Sequence, residues 1–438
     1  MTMQEQVKQA KKASIRMAAL SSDVKNGALK AMAEALDRDR KRIMGANAED
    51  LKEADKMFKN GEITQVLVDR LKVSDDKING MINGIRDVIK LDDPVGRTLS
   101  SLQLDDSLDL YQVSCPIGLL GVIFESRPDV VPQIMSLCLK SGNAVVFKGG
   151  REAMRSNRAL FDVLRDAAAS AGIPKESFVL MESRDDVSAI LGMDEYIDLL
   201  IPRGSNSFVK YIQENTRIPV LGHAAGICHV YVDKDADIEK ALNVTLDSKI
   251  QYPAVCNAVE TLIVHSSVSE KFLAKMTELF VSNGVEIRAD APSKKIIGKA
   301  AKDASGKDWD EEYNDLIISV KTVDSIEEAI DFINEHGSGH TDTIITEDRK
   351  AIIKFTSLVD SSVVTVNAST RFNDGYRFGK GAEVGVSTNK IHARGPVGME
   401  GLLIYRYVLM GNGHVVKDYV GKNGKKYKHK STNKQFKV

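Results

Sequence analysis

Cysteine is scarce in this chain: four in 438 residues, at positions 115, 138, 228 and 256. Their spacing is irregular and contains no Cys-x-x-Cys, which argues against a disulfide framework or a structural zinc site. Thiols held reduced, as in the cytoplasm, fit better. No apolar run approaches the roughly 18 residues that a membrane-spanning helix needs. The opening "MTMQEQVKQAKKASIRMAAL" is charged throughout and lacks the apolar core of a secretory signal. Charge of one sign is also missing, since 60 basic residues balance 61 acidic ones. That balance argues against nucleic acid or a membrane as the main partner. Neither G-x-G-x-x-G after a strand nor G-x-x-x-x-G-K-[ST] occurs, so the ordinary dinucleotide fingerprint and the P-loop are both absent. There is no internal repeat.

What is present is an alternation. The first 95 or so residues carry apolar side chains at helical spacing. From "GNAVVFKGG" onward, short β-rich runs alternate with helical stretches: "REAMRSNRALFDVLRDAAASAG", then "SFVLMES", "YIDLLIPRGS" and "GICHVYVD". A second alternating block starts near residue 241, with "ETLIVHSSV", "DLIISVKTV", "DTIITED" and "SSVVTVN" as strands. Such alternation predicts parallel sheets covered by helices, here in two α/β domains. The segment 96–116 reads as a hairpin arm that "LLIYRYVLMGN" can join. The C-terminal stretch, with eight lysines after position 411, reads as a solvated and largely disordered tail, and an anion-binding role is the competing reading.

Two strand–turn–helix units offer sites for an anion. "VVFKGGRE" delivers Lys148 at a strand end, turns at two glycines and starts a helix near Arg151, so that backbone amides and a positive helix end face one point. "LLIPRGSN" repeats this with Gly204 and with Ser205 as a candidate helix cap. The bland alternatives are a lysine at a sheet edge and a structural cap. Cys256 stands apart from the other three cysteines, which read as small buried apolar residues. Tyr252 and Pro253 precede it, Asn257 follows, and "VETLIVH" continues as a strand.

In their order, "PIGLLGVIF", "NAVVFKGG", "IPRGS" and "VLGHAAGICHVYVD", with a cysteine some thirty residues on, resemble the aldehyde dehydrogenase superfamily. "GVIFESRPDVVPQ", "KGGREAMRSN", "QYPAVCNAVETLIVH", "INEHGSGHTDTIIT" and "VNASTRFNDGYRFGKGAEVGVSTNKIHARGPVG" resemble more closely its γ-glutamyl phosphate reductases. The resemblance covers residues 5 to 410. It implies an α/β, aldehyde-dehydrogenase-like fold with two parallel-sheet domains and a β-arm for oligomerisation. The expected boundaries are 1–97 with 117–229 for an NADP-binding domain and 230–365 for a catalytic domain. The arm is expected at 98–116 with 390–411, and the tail at 412–438.

The function so implied is NADPH-dependent reduction of L-glutamyl 5-phosphate to L-glutamate 5-semialdehyde, with release of phosphate, in proline biosynthesis. Cys256 is the implied nucleophile. Lys148, Gly150, Arg151, Gly204, Ser205 and Glu312 are implied for the cofactor, with Glu311 one register away. Arg151 stands where NAD-preferring relatives carry a glutamate, so it favours a 2′-phosphate. Arg127, His223, Asn257, Asn367, Ser369, Thr370 and Arg371 are candidates for the substrate. Val220 stands where aldehyde-oxidising members carry the glutamate that activates water, and its presence favours a thioester that waits for hydride. No metal is expected, since the adjacent Cys228 and His229 lack the ligand count for zinc. The expected partners are a small-molecule substrate, a second copy or three (a dimer or tetramer), and glutamate 5-kinase by functional coupling. An aldehyde-oxidising dehydrogenase is the alternative, and a non-catalytic scaffold a more remote one.

Overall fold

The computed structural model describes residues 2–182, 187–223 and 225–437. It divides into two compact units. The first comprises Met1–Gly204, Tyr211–Val220 and Gly398–Val438, and the second Ser205–Lys210 and Leu221–Val397.

The first unit opens with five helices between Met3 and Lys90, as the helical spacing predicts. Three of their starts, at Thr2, Ser21 and Ser74, are fixed by side-chain caps. Ser74, for example, accepts from the Lys77 amide at 3.3 Å ahead of the helix Asp75–Lys90. That helix buries Ile78, Met81, Ile82, Ile85 and Val88, one apolar stripe at three- and four-residue spacing. An antiparallel hairpin follows, β1 (Thr98–Asp105) and β2 (Leu108–Pro116). Next come β3 (Leu119–Phe124), β4 (Ala144–Gly149), β5 (Phe178–Met181) and β6 (Leu199–Arg203). These four form a parallel sheet in the order β5-β4-β3-β6. Every residue of β3 is buried, as expected of a strand covered on both faces. After β5 the chain crosses back to the other side of β3. The gap between β3 and β6 is therefore a topological switch point, where open α/β sheets take ligands beyond their strand C-termini.

The second unit is built on β7 (Cys228–Val232), β8 (Val259–His265), β9 (Glu286–Ala289), β10 (Ala301–Asp303), β11 (Ile317–Val323), β12 (Thr341–Ile345) and β13 (Val363–Val366). Their order is β10-β9-β11-β8-β7-β12-β13, all parallel. Alternate residues serve two cores. Val230, Val232, Leu262 and Val264 pack with Phe272, Leu273 and Met276 of the helix Ser266–Ser282. Tyr231, Ile263 and Ile344 pack instead with Ile330 and Ile333 of the helix Ile326–His336. The period of two splits the apolar run between both faces, and each fully buried aliphatic contributes about 1.5–3 kcal/mol. A short hairpin of β14 (Gly385–Ser387) and β15 (Gly395–Val397) completes this unit.

The chain then returns to the first unit. β16 (Leu403–Met410) pairs antiparallel with β2 over its whole length, and β17 (Lys430–Thr432) pairs antiparallel with β1. The result is a four-stranded sheet, β16-β2-β1-β17. Among the described residues, no helix is long and apolar enough to cross a membrane.

Three expectations change. A boundary after residue 229 cuts β7, which hydrogen-bonds to β8 and β12 and so belongs to the second sheet. That unit also extends to Val397, so of the segment 390–411 only the part from Gly398 joins the arm. Nor is the lysine-rich tail without structure. Lys434 meets Asp109 at 2.7 Å, Lys428 meets Asp106, and the Tyr419 hydroxyl donates to Asp105 at 2.9 Å. The Phe436 ring stands 5.7 Å from that of Tyr111. The lysines are matched by the acidic turn of the β1–β2 hairpin, and a period-two reading of the tail alone gives no sign of that partner.

Candidate active site

At the switch point of the first unit, β3 ends at Phe124, opposite Arg203 of β6. Arg127 follows in the loop and faces Asp129 at 3.4 Å, half-exposed. On the neighbouring strand Lys148 is the penultimate residue of β4, half-buried. Gly150 then caps the short turn Arg151–Ala153, and Arg151 is exposed. A Cβ on Gly150 would stand 2.1 Å from the Glu152 carboxylate, so a side chain there would have to displace Glu152. Glu152, which the motif reading passed over, accepts from the Ser126 amide at 2.6 Å and the Ser126 hydroxyl at 2.9 Å. This ties the loop after β3 to the loop after β4. Two cations at one strand end, with a glycine cradle between them, fit a phosphate-bearing ligand.

In the second unit Ser205 starts the helical turn, its carbonyl accepting from the Val209 amide at 3.0 Å. The adjacent Asn206 donates through Nδ2 to Glu312. Glu311 is exposed and Glu312 half-buried, so the contact favours Glu312 as the member of this group.

Cys256 is the half-buried cysteine of the four, and Cys115, Cys138 and Cys228 are buried. It lies in the loop between the helix Ile238–Ile250 and β8, at the N-terminal end of the sheet. β7 begins there with Cys228 and β12 with Thr341. The Cys228 thiol donates to the Cys256 carbonyl at 3.2 Å, and burial pushes its pKa well up, so it stays a thiol. Gly226 makes the close approach possible, because a Cβ there would lie 2.2 Å from the Cys256 carbonyl oxygen. His223, Cys256 and His340 each place a nitrogen or sulfur within 4.8 Å of the others. The two imidazole rings meet edge to face, 4.9 Å apart. His223 Nδ1 lies 2.9 Å from the Val386 carbonyl, and His340 Nδ1 lies 2.7 Å from Thr341 Oγ1. Burial and the neighbouring His223 hold the His340 pKa well below its usual range, so that ring is neutral.

Arg371 is buried and donates through Nε to Gln251 at 2.9 Å. Burial, and next the neighbouring Arg377, lower its pKa, while Cys256 pulls in the opposite sense. Asn257 donates through Nδ2 to the Asn373 carbonyl at 2.7 Å, leaving Oδ1 buried without a partner among the described residues. Under the loop, Lys249 Nζ meets Glu260 at 2.7 Å, both fully buried. Burial raises the Glu260 pKa to about 8, against the opposing pull of Lys249, whose own pKa burial lowers.

Not every candidate joins this group. The Asn367 amide is committed to the backbone of Thr346, accepting from its N–H and donating to its carbonyl, each at 3.0 Å. Its φ of 53° marks it as a turn residue. Ser369 Oγ accepts from Ser248 at 3.1 Å and from the Arg371 amide, and so serves as the cap that carries Arg371. Thr370 is buried, with Oγ1 unpartnered among the described residues. His229, beside Cys228, is held by Asp342 at 2.8 Å within the sheet. His340 was missing from the sequence-based candidates. Its signal was the "GSGHTD" stretch, which placed a histidine just before a strand.

The model of the aldehyde dehydrogenase family matches residues 1–293 and 303–390. The γ-glutamyl phosphate reductase of Methanosarcina mazei is 61% identical over 439 aligned positions, covering 99% of this chain and 98% of that protein. That of Acetivibrio thermocellus is 51% identical and covers both chains in full. The crystal structure of γ-glutamyl phosphate reductase from Thermotoga maritima superposes with a TM-score of 0.90 at 39% identity, covering 94% of this chain and 99% of that one. The order of motifs, the two parallel sheets and the cysteine loop agree with these likenesses, and the chain belongs to the aldehyde dehydrogenase family, with the γ-glutamyl phosphate reductases.

Proposed function

We propose that the chain reduces L-glutamyl 5-phosphate to L-glutamate 5-semialdehyde with NADPH, releasing phosphate, as a step of proline biosynthesis. The observation that carries this reading is Cys256: a half-buried thiol beside His223 and His340, in a chain matched end to end by reductases of that name.

The Cys256 thiolate attacks the acyl carbon, the C–O bond to phosphate breaks, and a thioester forms. A nicotinamide cofactor, when bound, would supply hydride to that thioester. The resulting thiohemiacetal collapses to the aldehyde and returns the thiolate. Arg371 supports the thiolate and the anionic substrate, and the Cys256 backbone N–H serves the developing oxyanion. His223, anchored through Nδ1, presents its other nitrogen to the departing phosphate when protonated. Asn257 Oδ1, without a partner among the described residues, is an acceptor suited to the substrate's amino group. Lys148 and Arg151 serve the cofactor phosphates, with Arg151 selecting the 2′-phosphate, and Gly204, Ser205 and Glu312 are the further residues assigned to the cofactor. Arg127 serves the phosphate or carboxylate of the substrate. Val220 in place of a water-activating glutamate supports reduction over hydrolysis, which disfavours the aldehyde-oxidising alternative. Four cysteines outside any disulfide suit a reducing cytoplasm, and the arm sheet supports a homo-oligomer.

The test is the reverse reaction. With glutamate 5-semialdehyde and phosphate the protein should reduce NADP, and omitting phosphate should stop it. Turnover that is indifferent to phosphate would replace this reading with an aldehyde-oxidising one.

A further inference from the structure

We propose that Cys256, His223 and His340 form a binding site for a thiophilic divalent cation, Zn²⁺ or Cd²⁺, and that its occupation withdraws the Cys256 thiol from chemistry. Nothing in the reductase reading asks for a metal. The site follows from the donor geometry alone.

The three donor atoms lie within 4.8 Å of one another, and two nitrogens with one sulfur is a donor set that zinc takes readily. The state of His223 follows from its neighbour. Its Nδ1 sits 2.9 Å from the Val386 carbonyl, which only accepts, so Nδ1 carries the hydrogen and the neutral ring has its lone pair on Nε2. His340 is fully buried, and its Nε2 has no hydrogen-bond partner among the described residues. Its Nδ1 faces Thr341 Oγ1 at 2.7 Å, and the same oxygen receives Asn373 Nδ2 at 2.6 Å. With the hydrogen on Nδ1, His340 donates to that oxygen beside Asn373, for which a hydroxyl's two acceptor lone pairs suffice, and Nε2 keeps its lone pair; Cys228 Sγ lies 3.6 Å from the same Nδ1. An imidazole that donates through one nitrogen and presents the other is the arrangement of a metal-bound histidine. The pairs are held by the backbone of β14 and by the start of β12, so the ring orientations are fixed before any ion arrives.

Around a tetrahedral zinc, bonds of about 2.0–2.3 Å put such donors roughly 3.3–3.6 Å apart. Closure from the present spacing therefore asks for shifts of about an ångström, shared by the half-buried side chains of Cys256 and His223. Binding forms one metal–sulfur and two metal–nitrogen bonds, and the thiol proton leaves to solvent. A fourth position stays open for water. A sulfur so held no longer attacks an acyl carbon.

The experiment titrates the chelator-treated full-length protein with Zn²⁺ by calorimetry and with Cd²⁺ by ultraviolet absorption, where a cadmium–thiolate bond gives a charge-transfer band. The expected result is one ion per chain, the band, and protection of Cys256 from iodoacetamide by mass spectrometry. Cys256→Ser should abolish the band. His340→Gln and His223→Asn should each weaken binding by more than about tenfold, a scale reached even when a ligand's hydrogen-bond partner is lost. If the buried His340→Gln variant does not fold, the half-buried His223→Asn decides. Affinity unchanged in the folded variants, or no thiolate band in the unaltered protein, would overturn the proposal. These readouts are independent of turnover, so a failure of the reductase reading leaves the site standing or falling on its own.

Discussion

Gly226 and Cys256 meet backbone to backbone. A methyl group on Gly226 would stand 2.2 Å from the Cys256 carbonyl oxygen, 2.5 Å from its Cα and 2.6 Å from its Cβ. No flexible side chain can yield there, so the cysteine loop has to move. Gly226→Ala should cost about 1–3 kcal/mol of stability, as overpacking does. It should also lower turnover by about a hundredfold, the scale of misplacing a reacting group by an ångström. Chemical unfolding and NADPH-dependent turnover check both effects, and normal turnover would mean that the loop position is not critical.

Cys256→Ser keeps the shape of the site and removes the thiolate. Reduction should fall by more than about a hundredfold, as loss of a covalent nucleophile does. NADPH binding, followed by fluorescence, should survive, because the residues assigned to the cofactor are elsewhere in the sequence. Activity within tenfold of the unaltered protein would remove the nucleophile assignment.

Arg151 is exposed at the turn after β4, where a cation favours a 2′-phosphate. Arg151→Glu should lower kcat/KM with NADPH by about tenfold or more and spare NADH. Equal losses with both cofactors would make the residue structural.

Glu260 carries the clearest pH signature near the loop. Burial raises its folded pKa from 4.5 to about 8. Between those values the folded protein holds a proton that the unfolded chain releases, so this stabilisation is complete below about pH 4.5 and is lost as pH rises through 8. Lys249, lowered by burial, acts in the opposite sense, with a contribution that grows as pH rises toward 10.5. Glu260→Gln removes the carboxyl titration. The unfolding midpoint of the unaltered protein, relative to the variant, should therefore fall from about pH 5 to about pH 8. A constant difference across that range would show that Glu260 does not titrate there.

The tail closes the free side of β1. Ending the chain near Gly411 removes β17, the Lys434–Asp109 and Lys428–Asp106 pairs and the Phe436 contact with Tyr111. It leaves an unpaired strand edge, a template for aggregation. Truncation should lower the unfolding temperature and promote association in gel filtration. An unchanged temperature and elution profile would mark the tail as dispensable.

The α/β class, the arm hairpin and Cys256 were legible in the sequence because each rests on a local signal: the switch between periods of 3.6 and 2, a strand-like run bounded by turns, and a contiguous motif around one thiol. Lys148, Gly150 and Arg151 were legible for the same reason, as consecutive positions of one strand–turn–helix unit. The assignment of β7 to the second sheet was not, because a buried strand reads alike in either sheet and only its hydrogen-bonded neighbours decide. The tail's order depends on Asp105, Asp106 and Asp109, some 320 residues earlier in the chain. The gathering of Cys228, Cys256 and His340 at the N-terminal ends of three strands likewise depends on which strands are adjacent. Which residues have reactive chemistry can be read along the chain. Which of them share a site cannot, because parallel strands far apart in the chain bring their ends together only through the order of the sheet.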